Sequence, residues 1–325
     1  MRKVFVSRRI FPEALRLLEA EDLNVHINNS RFPLSDKRLK ERVKGVDGLI
    51  CFLNDRIDRE FLEEVDTLIG ISNVAAGVDN IDLEAARESG IYVTNVPGAV
   101  TRPTADLTFT LILTVARKVS AGERYLRNGQ SQDWELMGPL LGTEVSGKSL
   151  GIIGMGRIGS AVARRAALGF EMDVLYHSRT RKKQLESEIG LEYVTMENLL
   201  QRSDFVSLHT PLTEETRGMM GRDQFKLMKN TAFLVNTSRG EVIEEEELIN
   251  ALERGELAGA ALDVFCDEPK VNPKLLEFGS RVVVTPHIGS ATRKARARMA
   301  EVAVKDMIKI LNKESPDHPV VNPIE

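Results

Sequence analysis

The sequence predicts an α/β protein built from two doubly wound parallel sheets with a cleft between them. Strand-like apolar runs alternate with helix-like segments along nearly the whole chain, which is typical of parallel sheets covered on both faces. The alternation falls into two blocks, and 325 residues are enough for two domains with separate cores. In the second block, a short apolar run leads into a Gly-x-Gly-x-x-Gly pattern.

The first block covers roughly the first 100 residues, which is the size of a small doubly wound domain. Its apolar periodicity predicts strands over 3–7, 23–27, 48–52, 68–74 and 91–94, separated by helices over 12–20, 36–43, 59–65 and 81–88. The block contains no Gly-x-Gly-x-x-Gly pattern. We therefore do not expect it to hold the pyrophosphate of a dinucleotide.

The second block begins after a turn at residues 95–98. One long helix is predicted over 101–127, with Pro103 in its first turn, where proline is tolerated. The pattern then predicts strands over 150–153, 172–176, 205–209, 232–236, 259–264 and 281–285, and helices over 160–168, 222–228, 244–253 and 293–311. The same alternation as in the first block therefore predicts a second parallel sheet.

Three glycines lie between the strand at 150–153 and the helix that follows it. In this context the first glycine allows a tight turn, the second lets the backbone approach a pyrophosphate, and the third lets the helix pack closely on the strand. The helix N-terminus offers free N–H groups and a partial positive charge to the phosphates. The predicted cofactor contacts are Gly154, Met155, Gly156, Arg157, Ile158 and Gly159. The alternative is a glycine-rich turn in another kind of α/β protein.

Composition excludes several classes of partner. The formal net charge of −4 gives no general attraction to nucleic acid or to an anionic membrane. The longest apolar stretch, residues 107–116, is too short to span a bilayer, and the N-terminus lacks the apolar region of a signal peptide. Cys51 and Cys266 lie in apolar segments, and we expect buried free thiols in a reducing compartment. These features predict a cytoplasmic protein.

Three polar clusters follow strands of the second block at their carboxyl ends, where ligands bind in open α/β sheets. Arg239 can hold a substrate carboxylate and polarise a keto oxygen, and His287 can deliver a proton near neutral pH. Glu268, if it hydrogen-bonds His287, would orient the ring and favour the imidazolium. Singly, each residue could be a strand-end cap or a surface group. Together they predict hydride transfer to a 2-keto acid.

The end of the strand at 172–176 predicts which dinucleotide is used. A preference for NAD places Asp or Glu there to bind the ribose 2′-hydroxyl. This chain has Ser178, Arg179 and Thr180, which supply donors and positive charge for a 2′-phosphate. We predict that NADP(H) is preferred and that NAD(H) is usable. The alternative is a solvated basic turn with equal use of both cofactors.

Six segments resemble the D-isomer-specific 2-hydroxyacid dehydrogenases, and they extend over nearly the whole chain. They are Val74–Asp82, Gly147–Gly159, His209–Thr213, Asn236–Gly240, Asp263–Pro269 and Thr285–Ser290. The resemblance implies that Arg239, Glu268 and His287 are catalytic. It also implies a discontinuous flavodoxin-like substrate-binding domain, residues 1–98 and 289–325, beside a Rossmann dinucleotide-binding domain, residues 99–288.

The resemblance implies further contacts with both ligands. Backbone N–H groups of Ala76 and Gly77 would bind the substrate carboxylate, and Leu53 would close over a small substrate; the alternative for this loop is a simple turn. The substrate would also contact the Arg239 and His287 side chains. Beyond the glycine turn and the residues 178–180, the implied cofactor contacts are Thr210, Pro211, Thr237, Ser238, Arg239, Asp263, His287 and Gly289.

The resemblance also implies a homodimer formed through an arm over residues 101–142. In this family a tryptophan of the arm can reach the partner's active site. The spacing after Trp134 is one residue longer than usual, and this favours a dimer-interface anchor instead.

The predicted function is NAD(P)H-dependent reduction of glyoxylate or hydroxypyruvate, D-specific where the product is chiral, with His287 as proton donor and no metal. The nearest alternatives are a 2-ketogluconate reductase and a phosphoglycerate dehydrogenase. The second is less favoured because the chain has no regulatory domain before its end at Glu325. An alternative of another class is a dinucleotide-sensing, corepressor-like binding module with the same fold.

Overall fold

The computed structural model describes residues 1–30, 32–130 and 136–323. The chain forms two compact units, Met1–Val100 with Ala291–Glu325, and Thr101–Ser290. The elements of Met1–Val100 are β1 (Arg2–Val6), α1 (Pro12–Glu19), β2 (Leu23–Ile27), α2 (Asp36–Val43), β3 (Gly48–Cys51), α3 (Arg59–Glu63), β4 (Gly70–Asn73), α4 (Leu83–Glu88) and β5 (Tyr92–Thr94).

The second unit contains the longer run of elements. They are α5 (Thr101–Ala116), α6 (Val119–Arg127), β6 (Ser149–Ile153), α7 (Arg157–Phe170), β7 (Asp173–His177), α8 (Lys183–Ile189), β8 (Glu192–Tyr193), α9 (Met196–Arg202), β9 (Phe205–Leu208), α10 (Arg222–Leu227), β10 (Phe233–Asn236), α11 (Glu245–Glu253), β11 (Gly259–Leu262), α12 (Pro273–Glu277) and β12 (Val282–Val284). Short 3-10 helices occupy Gly240–Val242 and Gly279–Arg281.

The chain then returns to the first unit through α13 (Arg293–Leu311) and β13 (Pro319–Val321). The sheet of this unit has the order β13-β5-β4-β3-β1-β2, parallel except for the pairing of β13 with β5. A Cβ placed on Gly70 would lie 2.7 Å from Ile310 of α13. The strand therefore needs glycine there, because the helix packs directly onto its backbone.

The sheet of the second unit is parallel throughout, in the order β12-β11-β10-β9-β6-β7-β8. Two large apolar clusters include buried side chains of these strands, as expected for a sheet covered by helices on both faces. Because the strands are parallel, their carboxyl ends meet at one edge of the sheet. The predicted α/β fold of two parallel sheets is confirmed.

The predicted single helix over 101–127 is wrong, since the structure has two helices, α5 and α6. Lys118 breaks them apart with a left-handed backbone at φ 52°. The later segment at residues 142–143 packs against the C-terminal end of α5. Thr143 N–H donates to the Ala116 carbonyl at 2.8 Å, and a Cβ on Gly142 would lie 2.6 Å from the same oxygen. Neither helix, nor any other in the described residues, is long and apolar enough to cross a membrane.

The expectation of two buried thiols is correct for Cys51 and wrong for Cys266, which is exposed. β11 ends at Leu262, earlier than predicted, and Cys266 lies in the loop beyond it. Its Sγ approaches the Ile243 carbonyl at 3.8 Å. Loss of solvent around the sulfur, followed by the charges of Glu245 and Glu241, raises the pKa of this thiol to about 11. The thiol is therefore a poor nucleophile at neutral pH.

Candidate active site

The glycine turn after β6 has the geometry that dinucleotide binding requires. Gly154 has a φ of 96°, and a Cβ there would lie 2.7 Å from the carbonyl carbon of His209. Gly156 precedes α7, and a Cβ on it would meet nothing within 4 Å, so the backbone borders open space. A Cβ on Gly159 would lie 2.2 Å from the Gly154 oxygen. The turn is therefore tight on its protein side and open on its ligand side, beside a helix N-terminus.

A pocket of about 520 Å³ opens in front of this turn, within the second unit. Of the predicted cofactor contacts, those that line it are Gly154, Met155, Gly156, Ser178, Arg179, Thr180, Thr210 and Pro211. Arg157, Ile158 and Gly159 lie just behind it, in the first turn of α7. The Ser178 hydroxyl donates to the Thr180 carbonyl at 2.7 Å, which fixes one rim of the pocket. The hydrogen-bond donors that line the pocket and the open space beside Gly156 both fit a nicotinamide dinucleotide.

The basic run after β7 divides into a paired part and a pocket-lining part. Arg181 donates to both carboxylate oxygens of Glu186, at 2.9 and 3.2 Å from Nε. The buried Tyr176 hydroxyl donates to the same carboxylate at 2.6 Å and accepts from Lys182 N–H. Arg181 and then Tyr176 lower the pKa of Glu186 to about 2, and burial is the largest cause that raises the pKa of Tyr176 to about 12. Arg181 is thus held by Glu186 and does not line the cofactor pocket, whereas Arg179 does.

His209 is a pocket residue that the sequence analysis did not assign. Its Nε2 lies 2.9 Å from Ser207 Oγ, and its buried Nδ1 has no hydrogen-bond partner in the described part of the chain. Burial lowers the pKa of this histidine to about 3. The ring is therefore neutral at physiological pH, directly after the strand that borders the glycine turn.

The hydrogen bond expected between Glu268 and His287 is present. His287 Nδ1 lies 2.7 Å from Glu268 Oε2, and both side chains are partly buried. Glu268 Oε1 accepts from Phe265 N–H at 3.1 Å, so the carboxylate is held from its other side as well. An ionised carboxylate only accepts, so Nδ1 carries the proton of this bond. The second ring nitrogen, Nε2, remains available for proton transfer.

The loop that carries His287 is organised by Asp263, which is 1% exposed. The Asp263 carboxylate accepts from Thr285 Oγ1 at 2.6 Å, from Ile288 N–H at 2.8 Å and from Gly289 N–H at 2.7 Å. Burial raises the pKa of Asp263, and these hydrogen bonds oppose that shift. His287 itself has a left-handed backbone, with a φ of 50°. Asp263 and Gly289, predicted as cofactor contacts, thus also hold the loop that orients the histidine.

The turn after β10 carries Arg239 and is held by Asn236. The Asn236 side chain accepts from Ser238 N–H at 2.9 Å and from its hydroxyl at 2.8 Å, and it donates to the Arg239 carbonyl at 2.7 Å. Thr237 Oγ1 lies 2.9 Å from Thr108 Oγ1 of α5. The half-buried Arg239 donates from Nη1 to the Ser238 carbonyl at 2.8 Å. Thr237 and Ser238 are both buried, so their side chains serve the turn itself.

Gly240 brings the Arg239 turn and the Glu268 turn together. A Cβ on Gly240 would lie 2.0 Å from the Phe265 carbonyl carbon, which is closer than any real Cβ contact. The two turns therefore pack backbone against backbone, and their functional side chains come from adjoining segments. The sequence analysis assigned no role to Asn236 or Gly240, although both lie in a family-like segment.

The predicted substrate residues Leu53, Ala76 and Gly77 belong to the first unit. Asn95 Nδ2 donates to the Ala76 carbonyl at 2.6 Å, and Asn73 Nδ2 donates to the Gly77 carbonyl at 3.0 Å. Within the described residues, neither the Ala76 nor the Gly77 N–H has a hydrogen-bond partner. The hydrogen bonds to the two carbonyls hold this loop in place. Two successive N–H groups without an internal acceptor can then both donate hydrogen bonds to one anion. Leu53 lies in the turn that follows β3 and is 36% exposed.

The predicted arm over 101–142 exposes apolar side chains. Helix α6 has no buried residue. The exposed large apolar residues of this region are Val119, Leu126, Leu136, Met137 and Leu141. Trp134 lies outside the described residues. In the described part of the chain, no group of three or more His, Cys, Asp or Glu side chains is arranged to hold a metal ion.

Comparison with known proteins gives consistent matches. Residues 109–289 match the model of the D-isomer specific 2-hydroxyacid dehydrogenase, NAD binding domain. A glyoxylate reductase of Thermococcus litoralis is 46% identical over 97% of this chain and 95% of its own length. The structure of the TT0316 protein of Thermus thermophilus matches with a TM-score of 0.91 and 45% identity, over 98% of this chain and 100% of that chain.

Structures of ligand complexes match as well, among them a D-lactate dehydrogenase of Aquifex aeolicus complexed with NAD and lactic acid, with a TM-score of 0.86 and 31% identity over 99% of this chain and 100% of that chain. An NADPH-dependent glyoxylate/hydroxypyruvate reductase of Sinorhizobium meliloti, in complex with NADP and malonate, matches with a TM-score of 0.87 and 28% identity. The match covers 98% of this chain and 97% of that chain.

Proposed function

The chain belongs to the D-isomer-specific 2-hydroxyacid dehydrogenases, and we propose that it reduces glyoxylate or hydroxypyruvate with NAD(P)H, D-specifically where the product is chiral. The observation that carries this proposal is the 2.7 Å bond between Glu268 and His287 in the unit that also contains the glycine turn. The relative named a glyoxylate reductase supports the choice of substrate.

The residues of the site divide the reaction between them. When bound, the reduced nicotinamide supplies a hydride to the carbonyl carbon of the substrate. The imidazolium of His287 donates its Nε2 proton to the carbonyl oxygen, so the C=O double bond becomes a C–O single bond while one C–H and one O–H bond form. Glu268 stabilises the positive ring before this transfer and orients it. Arg239 binds the carboxylate and polarises the keto oxygen through its forked donors.

The first unit supplies the remaining substrate contacts in this proposal. The free N–H groups of Ala76 and Gly77 bind the substrate carboxylate, and Leu53 limits the size of the group beyond the carbonyl. We assign substrate binding to residues 1–98 with 289–325, and dinucleotide binding to residues 99–288. The Asn73 and Asn95 hydrogen bonds support this assignment, because they fix the loop that presents the two N–H groups.

The chain takes a nicotinamide dinucleotide, and within this proposal NADP(H) is preferred over NAD(H). Ser178, Arg179 and Thr180 line the pocket where a carboxylate would otherwise bind the 2′-hydroxyl. The remaining cofactor contacts in this proposal are the glycine turn and Thr210, Pro211, Thr237, Ser238, Arg239, Asp263, His287 and Gly289.

We further propose a homodimer through the arm over 101–142, since exposed apolar side chains in such numbers are typical of a protein interface. A cytoplasmic location is proposed because the two cysteines are free thiols, which suits a reducing compartment.

A panel of 2-keto acids assayed with NADPH and with NADH tests the proposal. Glyoxylate and hydroxypyruvate should give the fastest loss of reduced-cofactor absorbance, and 2-ketogluconate and phosphohydroxypyruvate serve as competing substrates. His287→Ala should abolish turnover. Tight dinucleotide binding without turnover of any substrate would overturn the enzymatic proposal in favour of a binding module. Equal efficiency with both cofactors would refute the preference for NADP(H), which Arg179→Asp should shift toward NADH.

A further inference from the structure

The cofactor pocket is lined by a carboxylate as well as by basic side chains. Arg179 lines the pocket from the loop after β7, and Glu215 lines it from the loop after β9. The hydrogen bond from Thr213 is the largest cause that lowers the pKa of Glu215, and the charge of Arg179 is a smaller one. The pocket therefore presents both signs of charge to the part of a dinucleotide that lies against the end of β7.

Glu215 is held in place by its own loop. Thr213 Oγ1 donates to Glu215 Oε2 at 2.6 Å. Thr216 Oγ1 accepts from Thr213 N–H at 2.8 Å and donates to the Pro211 carbonyl at 2.6 Å. These bonds close the segment 211–216 into a compact turn. The carboxylate is thus positioned by the loop, whereas an unrestrained exposed glutamate would leave the pocket.

The two cofactors differ only at the ribose 2′ position, where NADP carries a phosphate and NAD a hydroxyl. A carboxylate accepts a hydrogen bond from the hydroxyl and repels the phosphate, and NAD-preferring sites use this effect with an acid at the strand end. Ser178 occupies that position here. Glu215 provides an acid from the opposite loop.

We propose that Glu215 is a specificity-determining residue: its carboxylate weakens binding of the 2′-phosphate and so keeps NAD(H) usable beside NADP(H). Arg179 attracts the phosphate, as does Lys182, which also lines the pocket, and Glu215 opposes them; the balance of these charges shifts the preference. This inference depends on the proposed function, because it requires that the pocket bind the adenosine end of the cofactor.

Calorimetric titration of the intact protein with 2′-phospho-ADP-ribose and with ADP-ribose tests the inference without any turnover. Glu215→Gln should tighten binding of the 2′-phosphorylated probe by about threefold to tenfold, as expected for one charge near the surface, and should not tighten ADP-ribose. The gain should shrink at high salt. Glu214→Gln is the matched control: Glu214 is the adjacent, exposed glutamate and does not line the pocket. It should change neither affinity by more than about twofold.

The outcomes separate the inference from the function on which it depends. A Glu215→Gln variant whose ratio of the two affinities equals that of wild type would overturn the inference while leaving the enzyme intact. A wild-type protein that binds neither probe would overturn both. If wild type prefers ADP-ribose, the preference for NADP(H) is refuted, but a shifted ratio in the variant still supports the role of Glu215.

Discussion

Replacing Glu268 with glutamine should disable proton delivery while leaving the fold intact. In the wild-type structure the carboxylate accepts on both sides, from the His287 ring at 2.7 Å and from Phe265 N–H at 3.1 Å. A glutamine has one oxygen and one NH₂ group, so it can satisfy only one of these donors. With its oxygen toward Phe265, the NH₂ faces His287 Nδ1 and disfavours the imidazolium.

The size of the effect follows from the bond that is lost. A hydrogen bond between a carboxylate and an imidazolium contributes about 1.5–3 kcal/mol. Its removal should lower kcat/KM for keto acid reduction by about 10- to 150-fold.

The assay is the initial rate of NADPH oxidation as a function of pH for wild type, Glu268→Gln and Asp267→Asn. Asp267 lies in the same turn, is 80% exposed at its side chain and forms an ion pair with the exposed Lys270. Its variant removes the same charge without touching His287, so its rate should remain within about twofold of wild type. A Glu268→Gln variant with the wild-type rate would refute the proposed positioning of His287.

Three further predictions concern stability and substrate affinity. Burial lowers the pKa of His209 to about 3, below its usual 6.5. As the pH falls below 6.5, the unfolded chain therefore takes up a proton at this residue before the folded chain does. The free energy of unfolding should decrease between pH 6.5 and 3, by up to about 1.4 kcal/mol per pH unit. Urea unfolding of His209→Asn at several pH values should show a shallower slope, and an unchanged slope would contradict the buried neutral ring. Asn95→Ala removes the hydrogen bond to the Ala76 carbonyl and should raise KM for the keto acid about threefold to tenfold. Calorimetry should show an unchanged affinity for NADPH. A change in NADPH affinity alone would argue against a substrate role of the Ala76 loop. Gly240→Ala places a Cβ 2.0 Å from the backbone of the neighbouring turn and should cost about 1–3 kcal/mol of stability as well as activity. Gly169→Ala in α7, where a Cβ meets nothing within 4 Å, is the control and should be neutral or stabilising by up to about 1 kcal/mol.

Strongly periodic elements were predictable from the sequence because their boundaries depend on local chemistry. Helices α2 and α13 begin and end at the predicted residues. Helix α13 begins after Thr292, whose hydroxyl caps Ala295 N–H at 3.2 Å, and it continues with a regular apolar face. The break at Lys118 was not predictable, because it is imposed by the returning segment at Gly142, which is distant in sequence.

Two short elements, α8 and β13, could not be recognised from the sequence. Helix α8 begins inside the basic run, and the edge strand β13 is only three residues long, so neither produced a recognisable apolar pattern. Both form because of tertiary contacts: Tyr176 and Arg181 hold Glu186 of α8, and β13 pairs with β5.

The types of residue at the strand ends predicted the candidate site, since parallel strands bring their carboxyl ends to one edge. The supporting residues were not predictable in the same way. The roles of Asn236, Gly240 and His209 depend on which loops come within hydrogen-bond or van der Waals distance. These loops come close to one another only when the second sheet has formed.

The central claim is that a hydride passes from the nicotinamide to the keto carbon at a site where His287 donates the proton. Single-turnover reaction of glyoxylate with NADPH carrying two deuterium atoms at C4, analysed by mass spectrometry, tests this directly. We expect glycolate with one deuterium at C2, and a fall of at least about 100-fold in the rate for His287→Gln. Glycolate without deuterium, or a His287→Gln variant as fast as wild type, would contradict it.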